Sequence, residues 1–292
     1  MIVKELDVFP GGDIYEVAGR KAEENMAYYL RRRFADDSEV LVLNGLRLEH
    51  EGEVAQIDHL VVYEHGFFII ESKSVTTQIR VNELDEWSRM VDGVWRGMPS
   101  PIAQARLQYL VLVKKLDVRS NDFLGKLWNI AQKNFRAYFR EVVVAISDSG
   151  IVERPPGNAF PNVLKADQVC EYIRTKIAEH ATAHTARSIL FRAQDKIAMK
   201  FSADEMLKAV AYLQKSHTPR VQKAALDNAA PLQSEVILLP SEVPPARQES
   251  QTNQYYCAQC RGHVGIGVAK FCWGNRARFG GRVYCMDCQK RV

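Results

Sequence analysis

Asp58, Glu71 and Lys73 place two carboxylates and an ammonium within one short stretch, IDHLVVYEHGFFIIESK at 57–73. Two neighbouring carboxylates can hold a hard divalent cation through oxygen. A lysine beside them can position a water or help deprotonate it. Together they are the set that metal-dependent phosphodiester hydrolysis needs. Side chains alternate along a strand, so Glu71 and Lys73 share a face. With Glu64-His65 as a two-residue turn, Tyr63 stands opposite Gly66, Leu60 opposite Ile69 and Asp58 opposite Glu71, the two carboxylate residues being about 5 Å apart at Cβ. A three-residue loop with Gly66 in the left-handed region would slip that register by one. The bland alternative is an exposed strand end with ordinary charges. Phe67, Phe68, Ile69 and Ile70 weigh against it, because apolar side chains on both faces mark a buried strand. Charges at the end of such a strand are costly unless paired or liganded. His59 alternates to the face opposite Asp58 and is expected to stand outside the site.

A second constellation closes the chain. Five of the six cysteines lie near the end, and four of them form Cys257-Ala-Gln-Cys260 and Cys285-Met-Asp-Cys288. Two Cys-x-x-Cys turns complete a tetrahedral Zn²⁺ site. A redox pair or a disulfide is the alternative, and two such turns in one short segment argue for metal. A β-hairpin can fill the interval between them. Cys272 and His263 could each replace a knuckle cysteine, but spacing favours them as non-ligands. Such a segment is too small for a full core and should depend on zinc to fold. It is basic, with Lys270, Arg276, Arg278 and Arg282 among its cations and Asp287 as its single acid. Interleaved aromatics such as Tyr256, Phe271 and Trp273 suit single-stranded nucleic acid. Some of them must instead form the module's own core, and protein docking is a further use. Cys170 stands alone in a helical stretch and reads as a small buried apolar residue.

The elements that must position these groups can be read from periodicity. Residues 17–34 form an amphipathic helix with Met26, Ala27, Leu30 and Phe34 on one face. Glu23 lies one turn before them on that inward face, either as a site residue or as a first-turn acid favoured by the helix dipole. Residues 40–43 and 46–48 read as one strand or a kinked pair, 54–63 and 67–73 as the hairpin, and 86–96 as a second hairpin around Asp92-Gly93. Pro101 opens a helix running to about residue 116. Residues 142–146 form a strand. Asp167 caps a helix to about residue 177, and Ser202 with Glu205 forms a capping box before another. This order predicts an α/β sandwich with a mixed sheet. His180 and His184 have helical spacing but no third ligand, and are read as solvent-exposed. Trp87, Arg89, Trp95 and Arg96 make either a substrate-facing rim or hairpin packing. No phosphate-binding P-loop and no G-x-S-x-G nucleophile elbow is present.

The 292 residues carry 47% hydrophobic residues and a net charge of +4, an ordinary soluble composition with room for one sizeable domain and a small second one. No run approaches the ~18 apolar residues that span a bilayer, and the N-terminal residues lack the pattern of a signal peptide. A cytoplasmic location without membrane attachment is expected. Residues 217–253, with Pro231, Pro240, Pro244 and Pro245 among Gln, Ser and Ala, read as a flexible linker.

With these residues in view, the N-terminal part resembles the nuclease-related domain (NERD) family of the PD-(D/E)XK superfamily. The resemblance spans roughly residues 19–146. It is carried by Ala22-Glu23, QIDHLVV at 56–62, FFIIESK at 67–73 and SPIAQA at 100–105. The tail RFGGRVYCMDCQ at 278–289 resembles the four-cysteine zinc fingers of bacterial topoisomerases, which also occur fused to such domains. The resemblance implies a restriction-endonuclease-like α/β core, with a mixed sheet flanked by helices, and a small C-terminal zinc ribbon. It implies Mg²⁺ or Mn²⁺ on Asp58 and Glu71, with the Ser72 carbonyl as a third oxygen. Lys73 would orient the attacking water, Glu23 would join the metal shell, and Gln104 would stand near the site. Gln56 departs from the family, where many members carry an acid. The implied organisation is a nuclease-like domain at 1–150, a helical extension packed on it at 151–216, the linker at 217–253 and the zinc ribbon at 254–292. The expected activity is that of a DNA endonuclease or nickase, in repair or in defence, with DNA as the partner and RNA as the other candidate. A non-catalytic DNA-binding or protein-interaction adaptor is the alternative.

Overall fold

The computed structural model describes residues 1–127, 131–157, 159–183, 199–220, 255–260 and 262–291. The chain divides into two compact units, Met1–Ala229 and Ala230–Val292. The expected linker lies outside the described residues from 221 onward.

The first unit begins with β1 (Ile2–Lys4), α1 (Ile14–Phe34), β2 (Leu41–His50), β3 (Glu53–Tyr63) and β4 (Gly66–Lys73). Three short strands follow: β5 (Gln78–Val81), β6 (Trp87–Val91) and β7 (Val94–Met98). Then come α2 (Pro101–Asp117), α3 (Ser120–Phe123), the two-residue strands β8 (Lys126–Leu127) and β9 (Ala131–Gln132), and β10 (Phe139–Ile146). The unit closes with β11 (Ile151–Glu153), β12 (Val163–Lys165), α4 (Ala166–Ala183) and α5 (Ala203–Lys215).

The main sheet has the order β1-β2-β3-β4-β10-β12. It is mixed: β2, β3 and β4 are antiparallel, and β10 runs parallel to both β4 and β12. One face buries Val42, Val61, Phe68, Ile70 and Val143 with Met26, Leu30 and Phe34 of α1 and Val169 and Ile173 of α4. The other buries Leu41, Leu60, Val62, Phe67 and Ile69 with Leu112 and Leu116 of α2 and Val210 and Leu213 of α5. The result is an α/β/α sandwich. Helices on both faces explain why β4 is apolar at every position from Phe67 to Ile70. Each such side chain contributes on the order of 2 kcal/mol by leaving water.

Local signals set most boundaries. Asp13 accepts from the amides of Tyr15 and Glu16 in a capping box, so α1 starts at Ile14, earlier than its apolar stripe suggests. Ser100 caps α2 ahead of Pro101, and Ser202 with Glu205 caps α5 as read. Asp167 does not cap α4; it lies in the first turn, its amide donating to Asp148 Oδ1. The 86–96 hairpin is present, and β5 and β11 extend it into a separate four-stranded sheet. Trp87 is buried there, its Nε1 donating to Asp85, while Arg80 lies 4.2 Å above the Trp95 ring. Residues 151–216 supply strands β11 and β12 as well as α4 and α5.

Two features of the central hairpin matter below. Tyr63 pairs with Gly66, so the turn is the two-residue one. Gly66 is obligatory, because a Cβ there would lie 2.0 Å from the Phe139 carbonyl oxygen. The β2–β3 ladder keeps one register from Leu41↔Val62 to His50↔Glu53, with Gly45 and Asp58 alone left unpaired opposite each other. Leu43 and Leu46 nonetheless face the same core, as do Ile57 and Leu60. Each strand therefore carries one extra residue at the same level. Gly45 meets that geometry with φ +60°.

His180 corrects an expectation. It is buried, and it shares a hydrogen bond with the Tyr63 hydroxyl, because α4 runs on to Ala183 and packs this turn against Tyr63 and Phe139. His184 lies outside the described residues.

The second unit contains β13 (Tyr255–Tyr256) paired with β14 (His263–Val264), then α6 (Ile266–Gly274) and α7 (Arg276–Phe279). Helices occupy the interval where a hairpin was expected. Ala269 and Cys272, both fully buried and three residues apart, supply the inward stripe that a helix needs.

Candidate active site

The site lies at the C-terminal end of β4, in the middle of the main sheet. Glu71 is buried, at 2% exposure, and its Oε1 lies 2.6 Å from Lys73 Nζ. Lys73 also donates to Gln104 Oε1 at 3.1 Å. One turn further along α2, Gln108 Nε2 donates to Glu71 Oε2 at 3.4 Å. Gln104 and Gln108 thus face the acid and the lysine from one side of the helix, as residues four apart must. The sequence reading missed Gln108; its spacing from Gln104 was the available signal.

Asp58 is brought to the same place from β3. The β3–β4 ladder ends at His59↔Ile70, so Asp58 is the next residue opposite Glu71. There the strands part, and Asp58 Oδ2 accepts the Ser72 amide at 2.8 Å in place of a ladder bond. Phe139 donates to the His65 carbonyl and Ser147 to the Lys73 carbonyl. In a parallel pair this fixes the odd-numbered backbone groups of β4 toward β10. The Ser72 carbonyl therefore points toward β3, beyond the last rung and beside Asp58. The Ser72 hydroxyl is buried without a hydrogen-bond partner.

Glu23 approaches from α1, in the layer on the other face of the sheet. It is partly buried, and Arg20 Nη1 stands 3.7 Å from its Oε2. Arg20 also donates to Glu24 and to the Asp7 carbonyl. Among the described residues, the cysteine quartet is the only set of three or more His, Cys, Asp or Glu ligand atoms gathered to metal-binding spacing. Glu23 therefore acts on the other two acids through charge and is not drawn into a preformed ligand set with them. Gln56 is exposed on β3. His59 is buried on the α1 side, bonded through Nδ1 to Asn44 Oδ1 at 2.8 Å; burial, helped by the Arg20 charge, pulls its pKa down to about 3.

All three carboxyls titrate above their ordinary range. Burial is the main cause for each. The charges of Glu71 and Glu23 push Asp58 up further, against the Ser72 amide and Lys73. Lys73 and Gln108 restrain the rise at Glu71, and Arg20 restrains it at Glu23. One lysine cannot neutralise two buried carboxylates, so the remaining charge must be met by a proton or a cation. The donors, all oxygen, fit a hard divalent ion such as Mg²⁺ or Mn²⁺.

In the second unit the sulfurs of Cys257, Cys260, Cys285 and Cys288 all lie within 4.8 Å of one another, with Cys260 and Cys285 3.7 Å apart. Zinc–sulfur bonds of about 2.3 Å in a tetrahedron require sulfurs about 3.8 Å apart, so the quartet fits zinc. The amides of Cys260 and Cys285 bring the Cys257 thiol down to about 6, while hydrogen bonding within the quartet, first to Cys285, pushes Cys288 up to about 12. Cys272 is outside the quartet; its sulfur accepts from the Tyr284 amide and Gln289 Nε2. His263 is exposed, with its ring edge-on to Tyr256. Arg278 donates to the Gln289 carbonyl and lies over Phe279, and Arg282 is exposed. The side chains of Lys270 and Arg276 lie outside the described residues.

No helix among the described residues is long and apolar enough to cross a membrane. Compared with known proteins, residues 18–146 match the sequence model of a family described as nuclease-related domain, NERD. No curated protein and no solved structure matches the chain.

Proposed function

We propose that this chain, whose residues 18–146 match the nuclease-related domain family, is a metal-dependent nuclease that hydrolyses phosphodiester bonds of DNA. One observation carries the reading: the buried Glu71–Lys73 pair, with Asp58 beside it, at the opened end of the central strands. Asp58 and Glu71 would hold Mg²⁺ or Mn²⁺, and the Ser72 carbonyl is aimed to add a third oxygen. When bound, the ion would polarise the phosphate and lower the pKa of a water. Lys73, fixed between Glu71 and Gln104, would orient that water and offset charge on the phosphate. Gln108 would keep the Glu71 carboxylate turned toward the site. Glu23 would act from the α1 side as a further source of negative charge. The cysteine quartet would hold Zn²⁺ as a structural ion, and its unit, with Arg278 and Arg282 and with Lys270 and Arg276 on the same segment, would add affinity for nucleic acid.

The test is cleavage of supercoiled, linear and single-stranded DNA and of RNA, with Mg²⁺ or Mn²⁺, by wild type and Glu71→Gln. Loss of one charged group at the reacting centre should slow cleavage by at least ~10²-fold. Equal cleavage by purified Glu71→Gln would overturn the proposal. Binding with no turnover in either protein would favour the adaptor reading.

A further inference from the structure

A cavity of about 640 Å³ lies beside α2, over the Ile69 and Val142 rungs of β4 and β10. That size is within the range of small-molecule sites. Ile69 and Val142 line it from the sheet, and Tyr109 and Leu110 from α2. Four cations also line it: Arg106, Lys114, Arg136 and Arg140. Lys114 is met by Glu53 at 2.5 Å and Arg136 by Asp117 at 3.1 Å. Arg106 and Arg140 are exposed and have no carboxylate partner among the described residues. Arg140 donates to the Arg136 carbonyl and lies 5.4 Å from the centre of the Tyr109 ring. Glu141, the one acid of the lining, has its carboxylate engaged by the Tyr172 hydroxyl. Tyr109 is only 7% exposed, and its hydroxyl interacts with the Arg140 guanidinium.

The cavity adjoins the carboxylate end. Ile69 precedes Glu71 by two residues, about 7 Å along the strand, and Arg140 pairs with Phe67, about 13 Å back. Around α2, Arg106, Tyr109 and Leu110 lie on the flank away from Gln104 and Gln108, so the groove neighbours the carboxylate end without sharing its side chains.

We propose that this groove is a nucleotide-binding site, with phosphate held by Arg106 and Arg140, and with the base or sugar against Leu110 and the Tyr109 ring, its polar edge meeting the Tyr109 hydroxyl. An aromatic floor with two guanidinium groups that no carboxylate neutralises is the combination that binds a nucleotide unit. The choice of a nucleotide among anions rests on the nuclease reading; the groove itself does not. The unit comes either from a strand running on from the carboxylates or from a free nucleotide.

The experiment uses the full chain carrying Glu71→Gln, without chelator, so that zinc stays and cleavage is blocked. Anisotropy of a labelled single-stranded oligodeoxynucleotide is titrated across salt concentrations, and a deoxynucleoside monophosphate is titrated by calorimetry. Adding Arg106→Ala and Arg140→Ala should weaken oligonucleotide binding. It should also flatten the plot of log affinity against log salt by about 1.4, the value for two lost phosphate contacts on a single strand. Tyr109→Phe should weaken binding without changing the slope. The same charge removed elsewhere, in Arg32→Ala with Arg33→Ala, should leave the slope alone. A change confined to the oligonucleotide assigns the groove to a strand, and a change confined to the monophosphate assigns it to free nucleotide. Unaltered affinity and slope for both ligands overturns the proposal. Absence of cleavage by wild type would overturn only the nuclease reading, since these arms measure binding.

Discussion

The four sulfurs of the second unit come from two Cys-x-x-Cys turns and converge to within 4.8 Å. Asp58, Glu71 and Glu23 come instead from β3, β4 and α1, and are set in place by a sheet and two helix layers. The cysteine unit has a small core: Cys257, Val264 and Cys288 are the buried residues of its main cluster, and Ala269, Cys272 and Phe279 are buried beside them. The carboxylate end is fixed by two large cores that exist without any ion. One group of side chains is gathered by two short turns to a spacing that fits zinc. The other is built by its surroundings and left short of one positive charge.

The contrast can be broken most easily at the cysteines. Removing zinc with a strong chelator, or Cys260→Ser, should unfold the second unit, since structural zinc contributes about 10–16 kcal/mol in small domains. The first unit should melt as before. Limited proteolysis with mass spectrometry reads both, and protection of 255–291 without metal would erase the difference.

Next in size is Lys73→Met. It leaves the Glu71 carboxylate buried without its cation, at a cost of about 2 kcal/mol, the low end because Lys73 itself is partly exposed. Chemical denaturation should show the loss in metal-free protein and its partial recovery on adding Mg²⁺. Recovery should be absent if no divalent ion binds there.

A pH series sharpens the same point. Asp58, Glu71 and Glu23 have pKa values raised by folding, so over the range above an ordinary carboxylate pKa the folded chain holds more protons than the unfolded one. Stability contributed by these groups is therefore lost as pH rises through their folded pKa values. Metal-free melting temperatures should fall as pH rises above the ordinary carboxylate range, and Asp58→Asn should flatten that fall. Parallel curves for the two proteins would remove the argument. The smallest effect is expected from Gln108→Leu, which removes one hydrogen bond to Glu71 for about 1 kcal/mol and should lower cleavage less than Glu71→Gln does.

Much of this was legible in the chain. The apolar run of β4 and the inward stripe of α1 follow from alternation and helical spacing, which are local, whereas the choice between a two- and a three-residue turn needed the Tyr63↔Gly66 pairing. Gln104 and Ser72 came only with the family resemblance. Gln108 and Arg20 were missed because their relevance depends on which face of a helix meets which strand end, a tertiary fact. His180 was misread for a similar reason: its spacing looked polar and exposed, but Tyr63 on a distant strand supplies its partner. The helices of the second unit were hidden because two cysteine turns say nothing about the interval between them.

The unpaired residues Gly45 and Asp58 stand opposite each other in a ladder that is otherwise unbroken. Striking out both would leave Leu41, Leu43, Leu46 and Leu48 alternating regularly, and likewise Ala55, Ile57, Leu60 and Val62, with every one still facing its core. The β2–β3 register does not depend on Asp58, whose one bond to the sheet is the Ser72 amide; it is an extra rung, matched by Gly45 so that the register survives. Folding and chemistry are separable at this rung. A chain lacking both residues should melt cooperatively while calorimetry finds no divalent ion bound to the first unit; divalent-ion binding like that of the intact chain would show that Asp58 is not needed for it.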